Sequence, residues 1–188
     1  MGHRLTAEEM GRLTVEEFRA SGKLPLTVVL DNVRSLNNVG SVFRTADAFR
    51  VEHIALCGIT ATPPHREIHK TALGAEESVE WSYYAEATEC VEELKQRGYK
   101  VYAVEQVSDS LKLGSEEAKE AIGKDERVAI VLGNELDGVQ ESLLQHCDGS
   151  LEIPQYGIKH SLNVSCAAAI VMWELFLRLR TGLIEYYG

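Results

Sequence analysis

Leu26-Thr-Val-Val-Leu30, then Val39-Gly-Ser-Val-Phe-Arg-Thr-Ala-Asp-Ala-Phe49, then His53-Ile-Ala-Leu-Cys57 follow one another closely, and their reading decides the fold. The first run is short, apolar and β-branched, which suits a strand buried on both faces. The second places Val39, Val42, Phe43, Ala46 and Phe49 at helical spacing. The third repeats the strand pattern. Strand, helix and strand in quick alternation predict an α/β fold built on a mostly parallel sheet.

The alternation continues downstream. Residues 68–73 read as one helical turn, and 85–97 as an amphipathic helix closed by Gly98. Strands are predicted over 100–104, 128–132 and 150–153, the last stopped by Pro154. Residues 106–125 are polar and irregular, with one short helix, and 140–146 form another. The longest helix is predicted over 161–180, apolar nearly all round in its first half. Trp173, Leu175, Phe176 and Leu179 cannot all face one core, which predicts a homodimer. Upstream, Thr6-Ala-Glu-Glu9 and Thr14-Val-Glu-Glu17 carry capping-box spacing, and Ser21-Gly-Lys23 with Pro25 ends the helical part. The expected organisation is a helical extension over 1–25 and one domain over 26–188, with helices on both faces of the sheet.

Composition bounds the function. At 188 residues the chain is one domain by size, and its 45% hydrophobic and 26% charged content is that of a soluble globular protein. No apolar run reaches the length of about 18 residues that a membrane span needs. The longest, 164–173, is too short and too late for a secretory signal, so a cytoplasmic location is expected. Cys57, Cys90, Cys147 and Cys166 are too far apart for a zinc knuckle or redox pair, and most are expected to be buried small hydrophobes. The net charge is -10, but it is unevenly placed. Residues 1–58 carry seven basic and seven acidic side chains, 149–188 three and three, and 59–148 nine and nineteen. The two terminal thirds can therefore still offer a local basic patch.

Nucleotide motifs are absent: no glycine-rich fingerprint follows the first strand and no phosphate-binding G-x-x-x-x-G-K-[ST] occurs. His65-Arg-Glu-Ile-His69 has its glutamate in the wrong place for a zinc helix, so no metal site is expected there. Three segments carry the chemistry. Asn38-Val-Gly40-Ser-Val-Phe-Arg44-Thr-Ala46 opens a helix after the first strand, where backbone N–H groups are free. Asn38 fits an N-cap as well as a site residue, and Arg44 fits a surface ion pair with Asp47 as well as a catalytic role. Val131-Leu-Gly133-Asn-Glu135-Leu-Asp-Gly138 lies at the carboxyl end of a strand, where open α/β sheets bind ligands. Ile153-Pro154, a loop through Tyr156, and Ser161-Leu-Asn163-Val-Ser165 form the third. Ser161 suits a helix cap, whereas an asparagine inside a helix needs another reason.

In this order the three segments resemble the SpoU (TrmH-type) RNA ribose 2′-O-methyltransferases of the SPOUT superfamily, over roughly residues 26–180. Ala72-Leu-Gly-Ala75-Glu76 also looks like a family segment. The resemblance implies S-adenosylmethionine as methyl donor, RNA as substrate, a C-terminal trefoil knot and a homodimer. It places the donor on Gly133, Ile153 and Leu162, and catalysis on Asn38, Arg44, Glu135, Ser161 and Asn163. Only about 25 residues precede the first strand, so no extra RNA-binding domain is expected and tRNA is favoured over rRNA. One departure is Arg50, where the family has glycine after Ala-Asp-Ala-Phe.

The family proposal makes the arginine a base. A guanidinium with a pKa of about 13 is neutral in roughly one part per million at pH 7, a cost of about 8 kcal/mol. The alternative has Arg44 gripping a phosphate and stabilising a developing alkoxide. RNA contacts are expected from Arg34, Arg44, Arg66 and Lys70, with Arg50, Arg4, Arg12, Arg19 and Lys23 as extensions. Two other readings stand beside this one: an inactive knotted RNA-binding protein, and an enzyme on a small or protein substrate.

Overall fold

A computed structural model of the chain describes residues 2–6, 9–11, 13–124, 126–159 and 161–180. In chain order its first half runs α1 (Val15–Ala20), β1 (Leu24–Asp31), α2 (Leu36–Ala48), β2 (Val51–Cys57), α3 (Arg66–Ala72), α4 (Ala75–Ser78) and β3 (Trp81–Tyr84). The second half runs α5 (Ala87–Gln96), β4 (Tyr99–Val104), β5 (Leu111–Lys112), α6 (Glu116–Ala121), β6 (Arg127–Leu132), α7 (Glu141–Leu144), β7 (Gly149–Glu152) and α8 (Val164–Leu179). The strands form one sheet in the order β3-β2-β1-β6-β4-β7-β5, and every pairing in it is parallel. Ala55, Val29, Val131, Ala103 and Ser150 stand in one row across five strands.

Both sheet faces are covered. Leu26, Val28 and Leu30 of β1 and Val128, Ile130 and Leu132 of β6 pack with Val42 and Phe43 of α2 and Met172 and Leu175 of α8. The intervening Val29, Ala129 and Val131 turn to the other face, against Cys90, Val91 and Leu94 of α5 and Leu143. Burial on both sides is why these strands read as unbroken apolar runs. Phe43 is completely buried, and truncating it to alanine should cost about 3–5 kcal/mol. Gly40 lets α2 and α3 approach closely: a Cβ there would fall 2.1 Å from Thr71 Oγ1 and 2.3 Å from the Ile68 carbonyl oxygen.

Five strands were expected and seven are found among the described residues. The additional β3 and β5 are the two edges of the sheet, four and two residues long. Such short edges carry too few residues for a period to show. The Thr14 box forms as read, with Thr14 and Glu17 bonded reciprocally at 2.8 and 3.2 Å. Thr6 and Glu9 make the same exchange, but only a turn follows at 9–11. Arg12 lies outside the described residues, and the last helix, expected over 161–180, runs Val164–Leu179. Two of the four cysteines, Cys57 and Cys90, are buried, not most of them; Cys147 is half-buried and Cys166 exposed. Among the described residues no helix is long and apolar enough to cross a membrane.

Candidate active site

Ser35, not Asn38, caps α2: its hydroxyl accepts the Asn38 N–H at 3.3 Å. Asn38 is therefore inside the first turn, and its side chain is released for other partners. Its Nδ2 donates to Glu135 Oε1 at 2.8 Å, joining residues 97 positions apart. Its Oδ1 accepts from Asn163 Nδ2 at 3.2 Å.

Asn163 is the residue that caps α8, and Ser161 is not. Its Oδ1 accepts from the Ser165 N–H at 2.9 Å and the Cys166 N–H at 3.4 Å, satisfying donors that a helix start leaves open. The Ser165 hydroxyl adds a third bond at 2.7 Å. The expectation that an asparagine sits inside this helix is corrected: Asn163 precedes it. One amide thus closes a helix end with its oxygen and reaches the first motif with its nitrogen. Glu135, Asn38 and Asn163, one from each of the three segments, make a single chain of hydrogen bonds.

Burial alone would raise the Glu135 pKa. The Asn38 amide and the backbone N–H groups of Glu135, Arg34 and Ser35 outweigh it and hold the carboxyl below its ordinary value. The site therefore keeps a charged carboxylate at neutral pH.

Beside this network lies a cavity of about 460 Å³ at the carboxyl ends of β4, β6 and β7. Gly133, Ile153 and Leu162 line it, as do Glu135 and Ser161. Its floor is a tight loop. Asn134 Oδ1 accepts the Leu136 and Asp137 N–H groups, each at 2.8 Å, and Gly138 turns back with φ +65°. A Cβ on Gly133 would lie 2.0 Å from the Gly138 carbonyl carbon and oxygen, so only glycine fits. Asn134 and Glu105, both in the lining, were not singled out in the sequence. Each had a signal: Asn134 begins a turn-rich stretch, and Glu105 directly follows a strand end.

Arg44 stands apart. It is exposed, and among the described residues no hydrogen bond joins it to Asn38 or Glu135. The alternative ion pair with Asp47 is not formed either, since Asp47 accepts from Ser78 Oγ at 2.6 Å. Arg34 and Arg66 are exposed, and Lys70 pairs with Glu67 at 2.7 Å. His65 caps α3 through Nδ1, which accepts the Glu67 N–H, and His69 meets Glu76 at 2.5 Å.

The sequence model of the SpoU rRNA Methylase family matches residues 25–173. The chain belongs to that family. This SpoU-family chain is 32% identical over 178 residues to a tRNA (guanosine(18)-2′-O)-methyltransferase of Thermus thermophilus, covering 94% of the chain and 88% of the relative. It is 29% identical to the protein of that name from Borreliella burgdorferi, across 86% of the chain and 70% of the relative. Among solved structures, an A. aeolicus TrmH/SpoU tRNA modifying enzyme superposes with a TM-score of 0.76 at 24% identity, covering 92% of the chain and 85% of that structure. An AdoMet-bound rRNA methyltransferase from Sinorhizobium meliloti gives 0.74 at 26% identity, covering 86% of the chain and 60% of that structure.

Proposed function

We propose that this SpoU-family RNA methyltransferase transfers a methyl group from S-adenosylmethionine to a ribose 2′-hydroxyl, with tRNA favoured over rRNA as substrate. The observation that carries the reading is the Glu135–Asn38–Asn163 chain set at the lip of the 460 Å³ cavity. The tRNA preference rests on the likeness to the tRNA (guanosine(18)-2′-O)-methyltransferases of Thermus and Borreliella.

The cavity fits the donor on its own terms. Its floor is bare backbone because Gly133 admits no side chain, and Ile153 and Leu162 supply apolar walls for a planar base. Gly133, Ile153 and Leu162 would hold the adenine, while Ser161 and Asn163 shape the end nearest the acceptor. When bound, the donor supplies an activated methyl group on a sulfonium, so the protein's task is in-line positioning and charge management. Asn38 and Glu135 orient the ribose. Arg44 grips an RNA phosphate and offsets charge growing on the 2′-oxygen, while the hydroxyl proton leaves to water at the open mouth. Its exposure and the absence of a hydrogen-bond partner among the described residues favour this role over that of a base, which would need a neighbour to draw off its proton. Arg34, Arg66 and Lys70 extend the phosphate contacts.

The same reading takes residues 1–25 as an extension on the methyltransferase domain of 26–188, whose C-terminal part is threaded as a trefoil knot, and takes the protein as cytoplasmic. It also takes the working form as a homodimer. Ile170, Trp173 and Leu177 are spaced along one face of α8 and remain 41%, 49% and 40% exposed, while Leu175 and Leu179 are buried. That apolar stripe supports a second copy as its cover.

The test is transfer of labelled methyl to bulk tRNA, with nucleosides identified after digestion. Ribose-methylated nucleosides that appear only with RNA support the reading. Donor binding without transfer favours an inactive RNA-binding protein, and transfer without RNA favours another substrate.

A further inference from the structure

The cavity lining contains a carboxylate that none of the three motif segments includes. Glu105 directly follows β4, and its backbone N–H is fixed to the Leu151 carbonyl of β7 at 3.1 Å. Its side chain turns to the loop of residues 133–139. Oε2 accepts the Val139 N–H at 3.2 Å, and Oε1 accepts the Gln106 N–H at 2.9 Å. Gly138 lies so close that a Cβ there would stand 2.2 Å from Oε2. The carboxylate is thus held against the cavity floor from two sides.

A carboxylate has about four acceptor positions, and these two amides occupy two. Among the described residues, the other carboxylates in the lining have partners of their own: Glu135 holds Asn38, and Asp137 meets Asn134 Nδ2 at 3.4 Å. Position along the sheet separates Glu105 from the reacting end. Asn38 follows β1, and β6 lies between β1 and β4. The sulfonium must sit beside the Asn38 network, where the methyl acceptor enters. Across β6, the remaining part of the donor that offers two adjacent O–H donors is the ribose.

We infer that Glu105 binds the 2′- and 3′-hydroxyls of the donor's ribose and selects for an intact diol. The inference rests on the donor-site reading given above. A donor lacking one hydroxyl would leave an acceptor desolvated and unpaired, the situation that sites built around a hydroxyl reject most strongly.

The experiment titrates S-adenosylhomocysteine and its 2′-deoxy and 3′-deoxy analogues, by calorimetry, into the wild-type chain, Glu105→Ala and Glu105→Gln. Wild type should bind each deoxy analogue about tenfold more weakly than the parent, the worth of one hydrogen bond to a charged group. Glu105→Ala should bind the parent at least about tenfold more weakly and all three ligands within about threefold of one another. If Glu105 only clamps the loop, the variant weakens all three ligands alike and keeps the wild-type preference, which overturns the inference. A wild type that does not distinguish the three overturns it too. A wild type that binds none of them overturns the donor-site reading itself, a separate result. Should Glu105→Ala fail to fold, Glu105→Gln carries the same comparison.

Discussion

The two sides of the candidate site differ in how much of each is already built. On the donor side the polar groups hold one another: Asn163 is bound to a helix start and to Asn38, Asn38 to Glu135, and Asn134 to its own loop. On the proposed RNA side Arg34, Arg44 and Arg66 stand exposed, and Lys70 is held by a surface ion pair of the kind worth about 0–1 kcal/mol. Preorganised amides cost little reorganisation at the moment of reaction. Side chains waiting for a phosphate order only when it arrives, so affinity there tracks salt. The contrast teaches that losses on the donor side should appear in the chemical step and in folding, and losses on the RNA side in substrate affinity.

The largest effect expected on the built side is that of Asn38→Ala. It removes the donor to Glu135 and the acceptor from Asn163, and methylation should fall about hundredfold, as when one fixed donor is lost from an active site. Steady-state rates should show the loss in kcat. A loss confined to KM would erase the distinction between the two sides.

Next is a pair of changes at Asn163. Alanine removes both the helix cap and the contact to Asn38, and should lower stability by about 1 kcal/mol as well as slow methylation. Asn163→Ser restores a capping oxygen but no amide nitrogen, so thermal unfolding should recover while the rate stays low. If the rate recovers with the melting temperature, Asn163 is a cap and no more.

Smaller still is the double change Arg66→Ala with Lys70→Ala. RNA affinity should drop several-fold and the salt dependence flatten, by about one to two phosphates' worth, with donor binding unchanged. Filter binding over a salt series reads this directly.

The smallest concerns Arg50. It adopts φ 51° just past the end of α2, the left-handed position that glycine fills at little cost. Burial and the nearby Arg50 charge both lower the pKa of Lys23, so the two cations also oppose each other. Arg50→Gly should raise stability by about 1 kcal/mol in chemical unfolding. An unchanged or lower stability would mean that the arginine's own contacts offset the strain.

Arg50 also shows what was legible in the chain. Its departure from the family pattern could be seen in the sequence; the reason, a backbone conformation, could not. The five central strands and the main helices were readable because burial on both faces writes long apolar runs. The edge strands over 81–84 and 111–112 were not, because short half-exposed edges leave no period. The fold brings Asn38, Glu135 and Asn163 into one chain of hydrogen bonds and leaves Arg44 apart, and two local roles differ from those the sequence suggests. Ser35 and Asn163 are the caps, whereas Asn38 and Ser161 had been the expected ones. A cap is set by where the backbone enters the helix, and sequence places that boundary only to within a few residues. Glu105 was passed over because it belongs to no motif, although its place after a strand end is the rule for ligand contacts.

The central claim is that the donor side stands complete without Arg44 and the RNA side does not. Its most direct measurement pairs calorimetric titration of S-adenosylhomocysteine with methyl transfer to tRNA, on wild type and Arg44→Ala. Arg44→Ala should bind the donor product within about twofold of wild type and lose transfer by about a thousandfold, roughly 4 kcal/mol of transition-state stabilisation. An Arg44→Ala chain that keeps most of its transfer rate, or that loses donor binding along with it, would contradict the account.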